Sequence, residues 1–198
     1  MIAKRIFDLL LTLPAILLLL PVLAAIALWV WLDSKGPILF RQARMGRDGE
    51  LFDLLKFRTM KTERNPDAPR VTASNDERIT RSGRFLRHYK LDELPQLVNV
   101  IAGQMSLVGP RPEVPDFADI YDSEAGRRIL SVKPGLTDIA TLEFRNEESL
   151  LAGYDDVTLA YRNNVLPKKI GLQLDYVNRR SLFLDVQIIF RTLRAIFS

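Results

Sequence analysis

The chain of 198 residues has no cysteine and a single histidine, His88. The first absence excludes disulfides, zinc–thiolate sites and a thiol nucleophile. The second excludes histidine clusters and most Ser–His arrangements. Charge is missing too, but only locally: Leu9–Leu32 carries none, and Thr12 is its one polar side chain. No internal repeat or low-complexity tract occurs. Charge-bearing chemistry therefore falls to Asp, Glu, Lys or Arg.

The length fits one domain plus an accessory element. Hydrophobic residues make up 47%, near the soluble average but unevenly spread. The net charge of +4 fits three partners: nucleic acid, an anionic membrane surface or a phosphorylated substrate.

The uncharged run is the strongest physical signal. As a straight helix its 24 residues would reach about 36 Å, enough to cross a hydrocarbon core of about 30 Å. It is too long for a signal peptide, and Leu28-Trp29-Val30-Trp31 is no cleavage site. Pro14 and Pro21 lie inside it, and each removes a helical hydrogen bond. Two readings follow. An ordinary spanning helix with a tolerated proline kink is the commoner case. A bend at Pro21 returning both ends to one face suits the flanks, where Lys4 and Arg5 precede the run and Lys35, Arg41, Arg44 and Arg47 follow it.

Beyond a turn at Ser34–Pro37, Ile38–Arg41 reads as a strand. Asp48-Gly49 is a hairpin signal, and Leu51–Phe57 is the returning strand. Basic residues at its end, Lys56 and Arg58, can hold phosphate or simply be solvated. Lys61–Glu77 is polar and reads as a long functional loop. Arg78, Arg81, Arg84 and Arg87 recur every third residue and cannot all face one ligand. Val114–Val132 has a helical pattern, Lys133–Thr137 reads as a turn and Leu142–Asn146 as a short strand. Asn146–Leu150 opens a further helix. In Leu172–Ser198, Phe183, Val186, Phe190, Leu193 and Phe197 recur at helical spacing among arginines. That helix suits a membrane surface or a core.

The chemistry concentrates in Leu91–Glu113. Asp92 and Glu93 precede a proline and an apolar run of helical length broken by Gly103. Ser106–Glu113 holds too many prolines for a regular element and reads as a rigid turn presenting Arg111. A carboxylate pair at a helix entrance usually caps it. Beside a stiff arginine loop, the pair suits metal-dependent phosphate chemistry.

Several strings occur in order: KRxxD, GPILFxQxRxGxxGxxFxxxKFRTM, LDELPQLxNVxxGxMSLVGPRPE, KPGLT and YVxxxSxxxDxxII. Together they resemble the bacterial sugar transferase family, the monotopic phosphoglycosyl transferases, from Lys4 to about Thr192. The resemblance implies a mostly helical α+β fold with a small antiparallel hairpin and amphipathic interfacial helices. It implies a re-entrant membrane helix over residues 1–33, broken near Pro21, and a catalytic domain over 34–198 at the cytoplasmic face of the bacterial inner membrane. It implies transfer of a sugar 1-phosphate from a UDP-sugar to polyprenyl phosphate with release of UMP, the first membrane step of surface glycan synthesis. By resemblance Asp92 is the nucleophile, forming a phospho-aspartate, and contacts Mg²⁺. Glu93 assists deprotonation of the acceptor or orients the site. Arg111, Pro110, Arg87 and Arg58 match substrate-binding positions. Nucleic acid is not an expected partner, since no groove-reading motif is present, and homodimerisation stays open. Three departures stand out: Leu20 in place of the usual serine before Pro21, His88-Tyr89-Lys90 before Leu91, and Asp138–Glu148 after KPGLT. The last leaves the donor sugar unassigned.

Overall fold

A computed structural model describes residues 2–61, 76–145, 150–151, 153–154 and 156–197. Helix α1 runs over Ile2–Asp33 with Pro14 and Pro21 inside it, and its secondary structure is uninterrupted. It is the one helix among the described residues long and apolar enough to cross a membrane. Its two ends are docked and its middle is not. Near the start, the Asp8 carboxylate accepts hydrogen bonds from Ser106 Oγ (2.8 Å) and the Leu107 amide (3.2 Å). Lys4 bridges Asp8 and Asp185. Near the end, Ile26 and Val30 are buried with Phe57 and Leu86, and Asp33 accepts from the Ser82 amide and hydroxyl. Between them Leu17 and Leu18 are exposed.

Strands β1 (Leu39–Met45) and β2 (Leu51–Phe57) form the expected antiparallel hairpin, pairing Leu39 with Phe57 and Met45 with Leu51. The tip needs positive φ, which Asp48 (57°) and Gly49 (81°) supply. Helix α2 (Arg81–His88) is capped by Thr80, whose hydroxyl accepts from the Gly83 amide. Helix α3 (Gln96–Ile101) ends at Gly103, with φ of 83°.

Five expectations change beyond this point. Ser106–Glu113 is not all turn: Ser106–Val108 is strand β3, parallel to β4 (Gly135–Thr137), which also replaces part of the expected Lys133–Thr137 turn. Parallel partners are joined by a long crossover, so no local pattern announces them. Val114–Val132 is two pieces, a 3₁₀ segment over Pro115–Asp122 and helix α4 over Glu124–Leu130, because Ser123 caps a new start. Leu142 and Glu143, expected at the start of a strand, are helical. Asp138 caps helix α5 (Ile139–Glu143), which takes both of them in. The closing helix is two, α7 (Leu166–Arg179) and α8 (Leu182–Phe197), preceded by α6 (Val157–Ala160) and a π-helical segment over Tyr161–Val165. On α8 Asp185 and Ile188 face inward, while Phe183 and Phe190 face out, 73% and 69% exposed. The expected loop over 62–75 and the helix opening over 146–149 lie outside the described residues.

Candidate active site

Local geometry carries the two carboxylates to one place. Helix α2 packs so tightly on the exit of β2 that a Cβ on Gly83 would meet the Thr59 carbonyl oxygen at 2.1 Å. That contact sets Arg87 beside Thr59, with Nε donating to Oγ1 at 3.2 Å. Lys90 then takes a left-handed conformation (φ 55°) and reverses the chain into a 3₁₀ turn over Leu91–Glu93. Asn99 locks α3 to β2: its Oδ1 accepts from the Leu55 amide (3.1 Å) and its Nδ2 donates to the Asp53 carbonyl (2.8 Å). This register brings Lys56 of β2 opposite Glu93.

Asp92 and Glu93 are neighbours in unlike surroundings. Glu93 is clamped. Lys56 Nζ donates to its Oε1 at 3.1 Å, and the Arg111 guanidinium grips both oxygens, Nη1 to Oε2 at 3.1 Å and Nη2 to Oε1. Although burial alone would raise it, these two cations hold the Glu93 carboxyl well below the usual carboxylate range. Asp92 is 6% exposed, and no described residue donates a hydrogen bond to its carboxylate. Burial pushes its carboxyl up, against the fields of Lys56, Arg87 and Lys90 and with that of Glu93. The site thus pairs an ionised, immobilised Glu93 with a dehydrated carboxylate whose lone pairs are unused. Four cations surround two acids, a balance suited to an anionic substrate.

The arginine loop is fixed from behind. Gly109 donates to the Thr137 carbonyl (3.1 Å) and Gly135 to the Pro110 carbonyl (2.9 Å). The strands approach so closely that a Cβ on Gly135 would lie 2.1 Å from the Gly109 nitrogen. The Arg111 amide donates to Asp138 Oδ2 at 3.1 Å, while Asp138 Oδ1 accepts from the Thr141 amide at 2.5 Å. Gln173 reaches Asp138 from α7. Next along the loop, Glu113 is buried and accepts from the Tyr161 hydroxyl at 2.6 Å. Arg44 donates to the Pro112 carbonyl at 3.0 Å.

Of the six residues expected at the site, Asp92, Glu93 and Arg111 come together, and the field of Arg87 reaches Asp92. Pro110 is buried and serves as a backbone latch. Arg58 is elsewhere. It is 3% exposed, and its guanidinium donates to the carbonyls of Val30, Ser34 and Pro37, closing the C-terminal end of α1. Sequence reading missed Lys56 as a site member, though it named the basic strand end. It also missed Asp138 as the support of Arg111, although Asp followed by a short apolar stretch is a helix-cap signal. Among the described residues no group of three or more His, Asp or Glu side chains could cage a metal.

The family model of the bacterial sugar transferases matches residues 1–198. The chain is 40% identical to an undecaprenyl-phosphate glucose phosphotransferase of Komagataeibacter xylinus, over 100% of this chain and 36% of that protein. It is 38% identical to a UDP-glucose:undecaprenyl-phosphate glucose-1-phosphate transferase of Escherichia coli K12, over 96% of this chain and 39% of that one. A UDP-N-acetylgalactosamine-undecaprenyl-phosphate N-acetylgalactosaminephosphotransferase of Aeromonas hydrophila is 35% identical over 98% of this chain and 44% of its own length. The chain therefore spans well under half the length of these relatives.

Proposed function

Because the chain belongs to the bacterial sugar transferase family, we propose that it transfers a sugar 1-phosphate from a UDP-sugar to undecaprenyl phosphate and releases UMP. The observation that carries the reading is the contrast at Asp92 and Glu93: one carboxylate buried with unused lone pairs, the other held by Lys56 and Arg111.

In the first step an Asp92 oxygen attacks the sugar-bearing phosphorus. The bond from that phosphorus to the bridging oxygen breaks, and UMP leaves with the electron pair. In the second step an oxygen of undecaprenyl phosphate attacks the same phosphorus and the Asp92 ester bond breaks, restoring the carboxylate. A covalent intermediate divides one difficult transfer into two easier ones. The acceptor's proton, if it carries one, passes to solvent. Glu93 is a weak base in its clamp and acts by orienting Lys56 and Arg111, whose charges would meet the phosphates. Mg²⁺ fits the donor set, because one carboxylate with phosphate oxygens and waters is its usual shell. Asp92 would hold it, and the ion would neutralise diphosphate charge.

The docked ends of α1 support a re-entrant reading at a cytoplasmic membrane face. Arg5 donates to the carbonyl of Val100, whose neighbour Asn99 bonds Leu55, while Val30 accepts from Arg58 three residues along from Leu55. A straight helix would separate Arg5 from Val30 by about 38 Å, yet both are anchored to the unit that α3 and β2 form. A bend at Pro21 reconciles these anchors and leaves the exposed leucines for lipid. The relatives' names include glucose and N-acetylgalactosamine donors, so the donor is proposed only as a UDP-sugar.

The test is UMP release by the detergent-held chain given undecaprenyl phosphate, Mg²⁺ and a panel of UDP-sugars, with Asp92→Asn alongside. Lipid- and Asp92-dependent UMP, with a phosphosugar trapped on Asp92 by intact mass, is the expected result. Full activity in Asp92→Asn would overturn the covalent mechanism.

A further inference from the structure

A second cationic site lies at the far end of α3 from Asp92. Arg5 closes the C-terminal end of α3, donating to the carbonyls of Val100 and Ile101. Gly103 follows in the left-handed conformation. A Cβ built on it would stand 3.4 Å from Lys133 Nζ and 3.5 Å from Arg5 Nη2. The two cations therefore face each other across a space kept open by a glycine, and their nitrogens lie within about 7 Å of one another by the same two distances. Lys133 makes no hydrogen bond or ion pair with any described residue. The fields of Arg5 and Arg47 add to burial in lowering its affinity for a proton. The one acid that offsets this, Asp8, is already engaged by Lys4, Ser106 and Leu107. Two like charges held this close over a gap are relieved by an anion.

The surroundings say which anion. One face of α1, beginning at Ile6 beside Arg5, is an open apolar surface of Ile6, Leu9, Leu10, Leu13 and Pro14. A ligand suited to both features has an anionic head and an apolar tail. Gly103 and Asp92 flank α3 at opposite ends, so a phosphate held over Gly103 is out of reach of the Asp92 carboxylate. The acceptor of the reaction is therefore not the fitting occupant.

We propose that Lys133 and Arg5 hold the phosphate of an anionic bilayer phospholipid over Gly103, with an acyl chain along the apolar Ile6–Pro14 face. The site rests on the reading that α1 is embedded in a bilayer. It lies where basic residues at a cytoplasmic surface gain most from anionic lipid. Because Lys133 leads into β4, the bound lipid also braces the parallel pair behind Arg111.

The experiment is native mass spectrometry of the full detergent-held chain titrated with phosphatidylglycerol or phosphatidylcholine. Wild type, Lys133→Ala and Arg41→Ala are compared, and carbonate extraction of membranes is run in parallel. The expected result is one phosphatidylglycerol retained in preference to phosphatidylcholine. Lys133→Ala weakens retention roughly fivefold, the worth of one interfacial lysine. Arg41→Ala, which removes an exposed cation elsewhere, leaves it unchanged. Equal retention of the two lipids, or equal loss in both variants, would overturn the site. So would displacement of phosphatidylglycerol by an equimolar amount of undecaprenyl phosphate, which would make the acceptor the occupant. A chain that resists carbonate but shows no lipid preference refutes the headgroup site alone. A chain that carbonate releases refutes the membrane reading and the site with it.

Discussion

Asp92→Asn and Glu93→Gln each remove one negative charge from adjacent positions, yet they should move stability in opposite directions. The Asp92 carboxylate is buried and accepts no hydrogen bond from any described residue, and burial raises its pKa. A raised acid binds its proton more tightly folded than unfolded, so the folded state loses stability as pH rises through that value. At neutral pH the charge is a cost that asparagine relieves, and relief of strained functional sites is commonly worth about 0.5–2 kcal/mol. Glu93 is the reverse. Its lowered pKa means that the stability it contributes is present above the ordinary carboxyl value of 4.5 and is lost as pH falls through the folded value. Glutamine leaves Lys56 and Arg111 facing each other without a counter-charge. Breaking a fully buried pair costs about 3–5 kcal/mol. These side chains are 14–25% exposed, so solvent screening brings the loss to about 2–3 kcal/mol. For a chain of this size the melting temperature should rise by about 1–8 °C in Asp92→Asn and fall by about 4–12 °C in Glu93→Gln. Scanning calorimetry at pH 7 in detergent reads both, and both variants should lose UMP release. If Asp92→Asn lowered the melting temperature as far as Glu93→Gln does, Asp92 would be a structural ion-pair partner, and the reasoning that makes it the reactive carboxylate would fail.

Initial rates of UMP release should decline toward acid with a limb above 3.8, the ordinary aspartate value, since burial raises Asp92; a limb at or below that value would argue against Asp92 acting ionised. Arg58→Ala should destabilise the chain by about 3 kcal/mol or more by freeing the end of α1, measured as a lower melting temperature; an unchanged melt with a raised KM for the UDP-sugar would return Arg58 to the substrate site. Asp138→Ala should cost about 2–3 kcal/mol, as a lost cap plus a lost acceptor for the Arg111 amide. It should also lower kcat, and unaltered kcat in the folded protein would show that Arg111 needs no support from behind.

The order of elements was legible where the physics is local. Asp48-Gly49 between two strand-like segments predicted the hairpin, the uncharged run predicted α1, and Gly103 marked the end of α3. The grouping of Asp92, Glu93 and Arg111 was read from motif resemblance. Tertiary structure decided the rest. Strands β3 and β4 are three residues each and pair across a crossover, so their partnership exists only in the fold. Arg58 and Lys56 sit two positions apart in one basic string. Residues two apart on one strand would share a face, but β2 ends at Phe57, so Lys56 stays on the strand opposite Glu93 while Arg58, beyond it, turns to the end of α1. The helical spacing of Phe183 and Phe190 left core and surface equally open, because periodicity defines a face without saying what it meets. Packing of Asp185 and Ile188 inward turned that face outward. Sequence by itself determined which residues are chemically able; only the packing determined which carboxylate is clamped by cations and which is left with its lone pairs unused.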